Sequence, residues 1–424
     1  MNCVVLSSIW PEVSSSAAGV RTFQLLQLLR RSDKIKRVVF VTTSARKEIH
    51  AGELERVGVE CRTCQSNRAE GIETILGDVK PDLAVFDRFL SEELFSFHIH
   101  KHFPDCLRVL DSQDLHSLRE SRRHVIKKQN GSVIDAVRRV PKFDEPLLLR
   151  ELSAIHRCDL TLLVSDAEEK LLMDHYGIMK SKLALCPLLF DDKQRKEVPP
   201  FGGRQHFVSI GTFRHAPNCD SVEWLSSEVW PRIRERLPNA EIHIYGSYLK
   251  HNFQSMSNKK TGFLVKGFMD NLDSLQNYRV CLAPLRFGAG IKGKIIDAWR
   301  YGVPVVTTPI GSEGMTLHSG GREWGGEYEC YNPEDLVEAS CRLYEKPVQW
   351  ESCQQTGYNI LETRFNQQES TLHVMDTLLE KLSTFQADRA TDPTMNLLWW
   401  QGNRASEYFS RWIELKETKS TKDS

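Results

Sequence analysis

Residues 280–308 constrain the fold more than any other part of the chain. An apolar run over 280–285 leads into a glycine-rich loop, and a helical pattern over 295–301 follows. Gly302 ends this helix, and a second apolar run over 303–308 begins at once. The pattern predicts a strand, a glycine loop, a helix and a second strand, as in an α/β domain with a parallel sheet.

The loop has the composition of an anion-binding site. Gly288, Gly290 and Gly293 surround two basic residues, Lys292 and Lys294. Glycines let backbone N–H groups approach an anion closely, and the N-terminus of the following helix adds a positive dipole. Two lysines favour a phosphate or diphosphate ligand over a loop shaped only for packing. We therefore expect this segment to bind a nucleotide-like ligand.

Three nucleotide-binding patterns fit these residues. The P-loop pattern GxxxxGK is present, but Ile295 stands where a Ser or Thr must hold magnesium. The dinucleotide pattern GxGxxG is present too, yet the acid expected at the end of the next strand is missing, because Glu313 comes several residues too late. In the third interpretation, Asp297 takes two ribose hydroxyls while Lys292, Lys294 and the loop hold the diphosphate.

Further motifs extend the pattern on both sides. PLRFGAGIKGKIIDA over 284–298 is followed by GVPVVTT over 302–308, and the segments 210–231 and 238–246 precede it. Over roughly 205–315 the chain resembles the donor-binding half of group 1 (family 4-like) glycosyltransferases. The resemblance implies an α/β chain with the GT-B fold, in which two Rossmann-like domains face a cleft and a C-terminal helix crosses back to the first domain. It also implies sugar transfer from a nucleotide-sugar donor, with retained anomeric configuration and without a metal or cofactor.

The chain departs from that family at two places. Many members carry a Glu-x7-Glu pair, whose second position here is Asp297 and whose first is Ala289. The Arg-x4-Lys pair after the domain's first strand is also missing, with Thr212 and Pro217 in its place. A catalytically inactive GT-B module that binds or scaffolds therefore stays open as an alternative, with a P-loop or dinucleotide enzyme as the less favoured one.

Two loops of the first half complete the site that the resemblance implies. Gly19 follows the first predicted strand, where the family's loop faces the diphosphate, although the serines before it also fit a solvated turn. His116 ends a segment that resembles the family's Asp-x-x-Asp-x-His element, in which the histidine contacts the transferred sugar, although it also fits a helix cap. The predicted catalytic residues are His116, Arg214 and Lys294, and the predicted donor-binding residues are Gly19, Gly288, Gly290, Lys292, Gly293 and Asp297.

Length and composition set the remaining expectations. A chain of 424 residues should hold two domains, and its 56 Lys and Arg balance its 56 Asp and Glu, which argues against a nucleic-acid partner. Eleven scattered cysteines and an apolar first run without a basic leader predict a cytoplasmic protein with reduced thiols. No run approaches the ~20 apolar residues of a membrane span. Lys and Arg at the diphosphate, and no Asp-x-Asp after a strand, predict that no metal is needed.

Alternating apolar and amphipathic segments predict the domain bounds. We expect an acceptor-side domain over 1–192 and a donor domain over 205–385, joined by the polar and then Pro/Gly-rich segment 191–204. The aromatic tail, 386–424, predicts an amphipathic helix from about 396 that packs on the first domain. Peripheral membrane contact of this tail is the minority alternative. Neither the donor sugar nor the acceptor, whether glycan, lipid or protein, is specified by a motif.

Overall fold

The computed structural model describes residues 1–65, 69–188, 197–316, 323–402 and 412. The first seven strands are β1 Asn2–Ser7, β2 Arg37–Thr42, β3 Glu60–Thr63, β4 Leu83–Asp87, β5 Leu107–Asp111, β6 Leu160–Leu163 and β7 Leu183–Leu185. They form one parallel sheet in the order β3-β2-β1-β4-β5-β6-β7. Its helices are α1 Ala17–Arg31, α2 Glu48–Arg56, α3 Ala69–Val79, α4 Arg88–His102, α5 His116–Lys128, α6 Val133–Val137, α7 Pro146–Arg157 and α8 Asp166–Tyr176.

A second parallel sheet follows. Its strands are β8 Gln205–Ile210, β9 Ile242–Tyr245, β10 Phe263–Gly267, β11 Tyr278–Ala283, β12 Val305–Thr307 and β13 Gly326–Glu327. They lie in the order β10-β9-β8-β11-β12-β13. The helices of this half are α9 Ala216–Trp224, α10 Trp230–Arg236, α11 His251–Gln254, α12 Gly293–Arg300, α13 Pro309–Ser312, α14 Pro333–Glu345 and α15 Pro347–Arg364, and the chain ends with α16 Gln367–Thr391 and a helical segment over 393–402.

Both sheets are buried on two faces. In β1, Val4 and Leu6 join one apolar cluster, whereas Cys3 and Val5 join the cluster on the opposite face. Successive side chains of a strand point to opposite faces, so a strand covered on both sides needs a continuous apolar run. This is why the apolar runs of the sequence predicted the strands of a parallel sheet.

Each sheet has a point where the strand order reverses, and these points position the site. In the first sheet β1 lies between β2 and β4, and in the second β8 lies between β9 and β11. Ligands of open α/β sheets bind outside the carboxyl ends of the strands at such a point. The loops after β1, β8 and β11 therefore belong to the crevice of each sheet.

The two halves share an apolar contact beside this crevice. Ile126 of α5 and Ala136 of α6 lie in one cluster with three residues that follow β11 and β12, namely Leu285, Phe287 and Ile310. All five side chains are almost fully buried. The halves therefore pack directly on one another on one side of the cleft.

The chain returns to the first sheet through α16, which begins at Gln367, well before the predicted start near 396. Val374, Leu378 and Phe385 of this helix lie in the same apolar cluster as β1 and β2. Together with Met375 and Leu382 they recur every three or four residues, which is the spacing of one helix face, so this helix could have been predicted from the sequence. The crossing helix of the predicted fold is present, but it starts earlier than expected.

The segment 393–402 also packs on the first domain. The ring of Trp399 stacks on His100 at 4.0 Å between centroids, and the Arg108 guanidinium lies 4.9 Å from the Trp399 ring. The remaining predicted tail, 403–411 and 413–424, lies outside the described residues, as does 191–196 of the predicted linker. The domain boundaries at 192, 205 and 386 thus stay predictions. Within the described part of the chain, no helix has both the length and the apolar character to cross a membrane.

Candidate active site

Two helix N-termini face each other across the cleft. A Cβ added to Gly293, the first residue of α12, would lie 2.7 Å from the Cβ of Ala17, the first residue of α1. The hydroxyl of Ser16 caps α1 by accepting the N–H of Gly19 at 3.0 Å, whereas Lys292 at the N-cap of α12 provides no side-chain cap. Uncapped N–H groups and the helix dipole make this end of α12 suited to an anion.

Lys294 lies in the first turn of α12. Its Nζ donates to Oδ1 of Asn218 at 2.7 Å, and the Asn218 amide donates to the carbonyl of Thr212 at 3.0 Å. Burial lowers the pKa of Lys294 to about 8. The ammonium is thus held beside the loop after β8, at the reversal point of the second sheet, where it can meet a diphosphate. A small cavity there is lined by Ser209, Ile210, Gly211, Asn218, Val222, Ile244, Tyr245 and Lys294.

Asp297 follows on the same side of α12, three residues after Lys294. Its side chain is half-buried, and burial raises its pKa to about 6 although Arg300 acts in the opposite direction. A carboxylate one turn behind a lysine at a helix N-terminus is positioned to accept hydrogen bonds from hydroxyls of a ligand whose phosphates lie at that N-terminus.

Lys292 lies differently from Lys294. Its side chain is 7% exposed, and its Nζ donates to the carbonyl of Gly290 at 2.5 Å. Burial lowers the pKa of Lys292 to about 8 while Glu313 opposes the shift. The structure therefore places this ammonium inside the glycine loop. Sequence spacing could not separate the two lysines, because it does not show which carbonyl lies within reach.

The predicted glycines of the loop contact the first domain. The Gly288 carbonyl accepts Nη1 of Arg122 at 2.9 Å, and Arg122 also donates to both carboxylate oxygens of Glu313, at 2.7 and 2.6 Å. Gly290 has φ +64°, and a Cβ there would lie 2.9 Å from the Cβ of Asp114. Gly290 thus meets two demands, a left-handed backbone and close approach to the first domain.

Arg214 lies in the loop after β8 and contacts the first domain across the cleft. Its Nη1 lies 3.1 Å from the Glu12 carboxylate, and its guanidinium lies 3.3 Å from the centre of the Tyr248 ring. The Tyr248 hydroxyl donates to the same carboxylate at 2.7 Å. Gly19 packs below, since a Cβ there would lie 2.3 Å from the Glu12 carbonyl oxygen. Glu12 thus holds Nη1 of Arg214, and the guanidinium has further N–H donors for an anion.

His116 begins α5 at the carboxyl end of β5. Its Nε2 lies 3.2 Å from Oδ1 of Asp114, and its ring meets the Phe89 ring edge-on, with centroids 5.3 Å apart. Arg119 pairs with Asp114 and, despite burial of that carboxyl, holds its pKa well below the usual range. Because Asp114 also lies against Gly290, the structure brings the His116 loop and the glycine loop together.

Three residues of this region were not predicted. Asn218 holds Lys294, Glu168 accepts the Gly290 N–H, and His215 lies at the N-cap of α9. Burial lowers the pKa of His215, and the charge of Arg119 from the other domain acts in the same direction. His215 could have been found by its position beside Arg214, whereas nothing in the sequence signals the contact of Glu168. Among the described residues, no cluster of three or more His, Cys, Asp or Glu side chains could hold a metal.

The chain is similar to known proteins in part of its sequence and in its fold. Residues 204–346 match the family described as glycosyl transferases group 1. Sucrose-phosphate synthase from Thermosynechococcus elongatus is similar in structure, with a TM-score of 0.67, 15% identity and coverage of 91% of this chain and 100% of that one. HepE from Anabaena has a TM-score of 0.64 and 11% identity, and the match covers 89% of this chain and 99% of that one. The lipopolysaccharide outer core galactosyltransferase WaaB has a TM-score of 0.59 and 13% identity, with coverage of 90% of this chain and 100% of that one. No curated protein matches in sequence.

The two sheets, the cleft and the crossing helix have the GT-B fold of these solved structures. The match to the group 1 glycosyl transferases is confined to residues 204–346. The predicted fold class is thereby confirmed, and the predicted family and enzyme class agree with the family match over residues 204–346. The roles predicted for individual site residues stay predictions.

Proposed function

We propose that the protein transfers a sugar from a nucleotide-sugar donor to an acceptor at the first domain and retains the anomeric configuration. One observation carries the proposal: Lys294 and Asp297 lie on one side of α12, whose N-terminus faces that of α1. A nucleoside diphosphate fits this arrangement, with its phosphates at the N-termini and Lys294 and its ribose at Asp297. The acceptor would approach from the loops after β1, β4 and β5.

In the proposed reaction the protein forms no covalent bond with the sugar. The bond between the anomeric carbon and the departing phosphate oxygen breaks, and the acceptor oxygen bonds to that carbon on the same face. The acceptor proton passes to the departing phosphate. Negative charge on the diphosphate grows during this step, so a cation and helix amides fixed beside it stabilise the transition state more than the ground state. Lys294 would take this role, and the guanidinium of Arg214 would add a second cation.

The comparisons supply a first donor to test. HepE was solved in complexes with UDP and with UDP-glucose, and its fold covers 90% of this chain in the second of these structures. We propose a uridine nucleotide as the donor nucleotide on this basis. Tyr245, Ser209 and Gly211 line a small space together with Lys294. The sugar and the acceptor are left to experiment.

The test is a panel of nucleotide sugars, with free sugar or transferred sugar measured in the presence and absence of a chelator. We expect release from at least one donor, unaffected by the chelator, with the anomer of the product the same as that of the donor by NMR. Release of the opposite anomer would contradict retention, and activity restored only by Mg²⁺ or Mn²⁺ would contradict the role given to the cations.

A catalytically inactive binding module is the second candidate, and Ala289 favours it. The position that carries an acid in many family members here holds a side chain that packs against the first domain's core. Nucleoside diphosphate binding without turnover of any donor would support this candidate over the enzyme.

A further inference from the structure

Glu168 connects the two domains through a single carboxylate oxygen. Its Oε1 accepts the backbone N–H of Leu115 at 2.9 Å and the backbone N–H of Gly290 at 2.8 Å. Leu115 immediately precedes His116, and Gly290 lies in the glycine loop that leads into α12. One oxygen thus joins the loop of the predicted sugar contact to the loop of the predicted donor site.

The surroundings of Glu168 favour a local role at this junction. The residue is fully buried, and among the described residues its second oxygen, Oε2, is buried without a hydrogen-bond partner. An exposed ion pair contributes little to stability. A buried carboxylate oxygen that accepts two backbone N–H groups holds both of them in place, because leaving either group unpaired would be costly. The contact also holds a left-handed backbone position that favours glycine, because Gly290 has φ +64°.

Glu151 offers a comparison within the same domain. Its carboxylate oxygens accept the N–H groups of His116 at 2.8 Å and Ser117 at 3.1 Å. Glu151 and Glu168 together satisfy three consecutive N–H groups at the start of α5, which has no side-chain cap of its own. Of the hydrogen bonds that these two carboxylates accept from described residues, the one from Gly290 alone crosses to the second domain.

We infer that Glu168 is a positioning residue, which holds the glycine loop against the His116 loop so that donor and acceptor sides meet in the closed cleft. The inference rests on the proposed function. It predicts an effect on turnover rather than on nucleotide binding, because Lys294 and Asp297 belong to the second domain and hold the nucleotide without Glu168. Displacement of reacting groups by an ångström can cost about a hundredfold in rate.

Three substitutions of Glu168 distinguish its role as a hydrogen-bond acceptor from the effects of its charge and its size. Glu168→Ala removes the acceptor, Glu168→Asp keeps a carboxylate but shortens its reach, and Glu168→Gln keeps an oxygen that can accept both N–H groups. Burial, followed by the charge of Asp114, raises the pKa of Glu168 to about 8. The native side chain is therefore largely neutral near pH 7, so the amide is a close substitute.

The first measurement is hydrogen exchange of a peptide that covers 284–292, with UDP present. We expect exchange about tenfold faster in Glu168→Ala and Glu168→Asp, and unchanged in Glu168→Gln and in the matched control Glu151→Ala. Thermal unfolding and UDP titration identify variants that have lost their fold. Unaltered loop exchange in both Glu168→Ala and Glu168→Asp, or equally fast exchange in Glu168→Gln, would overturn the inference.

The second measurement is donor turnover in the same variants. We expect kcat about thirtyfold lower in Glu168→Ala with UDP affinity within about twofold, and kcat restored to within about threefold in Glu168→Gln. An equal fall of turnover and UDP affinity would also count against a positioning role. If the unsubstituted chain transfers no sugar from any donor, the proposed function fails, whereas the exchange measurement still decides whether Glu168 holds the loop.

Discussion

Lys292 and Lys294 are two residues apart, yet their ammonium groups lie in different surroundings. Lys292 donates to the Gly290 carbonyl within the loop, and Lys294 donates to the Asn218 side chain beside the crevice. A hydrogen bond to a backbone carbonyl holds the loop's shape, whereas a side-chain amide can exchange its partner when a ligand arrives. At the scale of single residues, we therefore propose that Lys292 holds the loop and that Lys294 contacts the ligand.

Substitution of Asp297 tests the ribose assignment. Asp297→Asn should weaken UDP binding roughly ten- to a hundredfold, because an amide is a poorer acceptor than a carboxylate and charge-assisted hydrogen bonds contribute about 1.5–3 kcal/mol. Calorimetric titration of UDP near neutral pH measures this, where a pKa of about 6 leaves the native carboxyl largely ionised. Equal UDP affinity in the variant and the unsubstituted chain would show that Asp297 does not bind the ribose.

The pH dependence of UDP binding tests Lys294. Burial lowers its pKa to about 8, so the ammonium is present below that pH and is lost as the pH rises through it. UDP affinity should fall about tenfold between about pH 7 and pH 9.5, and Lys294→Arg should flatten the profile because Arg stays charged. An identical profile in Lys294→Arg would assign the titration to another group.

At the scale of elements, the glycine loop is the segment with the tightest constraints. Gly290→Ala places a Cβ 2.9 Å from that of Asp114 on a backbone with φ +64°. We expect the thermal midpoint to fall and the loop to move away from the first domain, since a left-handed alanine costs about 1 kcal/mol before the clash is counted. Gly288→Ala is the matched control, because its nearest neighbour would lie at 3.6 Å and its φ is not in the left-handed region. An equal loss of stability in both variants would contradict the assignment.

The sequence predicted this element well and its contacts poorly. Glycines, lysines and two apolar runs within 280–308 were enough to place a strand, a loop and a helix, because these features are local. The bond from Glu168 to Gly290 joins residues 122 positions apart, and the pair of Glu12 with Arg214 joins residues 202 positions apart. Sequence periodicity reports only local structure. Contacts between residues this far apart depend on how the two sheets pack, so the sequence pattern does not predict them.

At the scale of the whole molecule, α16 fixes the chain's end to the first sheet. Arg389 donates to both carboxylate oxygens of Asp159, at 2.7 and 2.6 Å, and Asp159 is almost fully buried. The aromatic tail suggested this docking, but α16 performs most of it. Its apolar stripe predicts a buried helix face, whereas the sequence does not show that this face packs on the first sheet rather than on the second.

Arg389→Ala tests how much this docking contributes. We expect the free energy of unfolding to fall by about 3 kcal/mol in urea denaturation, because the buried Asp159 carboxylate loses both hydrogen bonds from Arg389 and keeps the Arg108 guanidinium only at 3.9 Å. Gln386→Ala is the control, since its side chain makes an exposed hydrogen bond to Asp105 and should change stability little. A loss no greater than that of the control would show that the ion pair does not hold the helix in place.

The central claim is that a nucleoside diphosphate lies between the N-termini of α1 and α12. A crystal structure of the full chain with UDP tests it most directly. We predict the diphosphate within hydrogen-bond distance of the Lys294 Nζ and the first N–H groups of α12, and the ribose hydroxyls on the Asp297 carboxylate. UDP bound elsewhere, or bound with its diphosphate away from α12, would contradict the account.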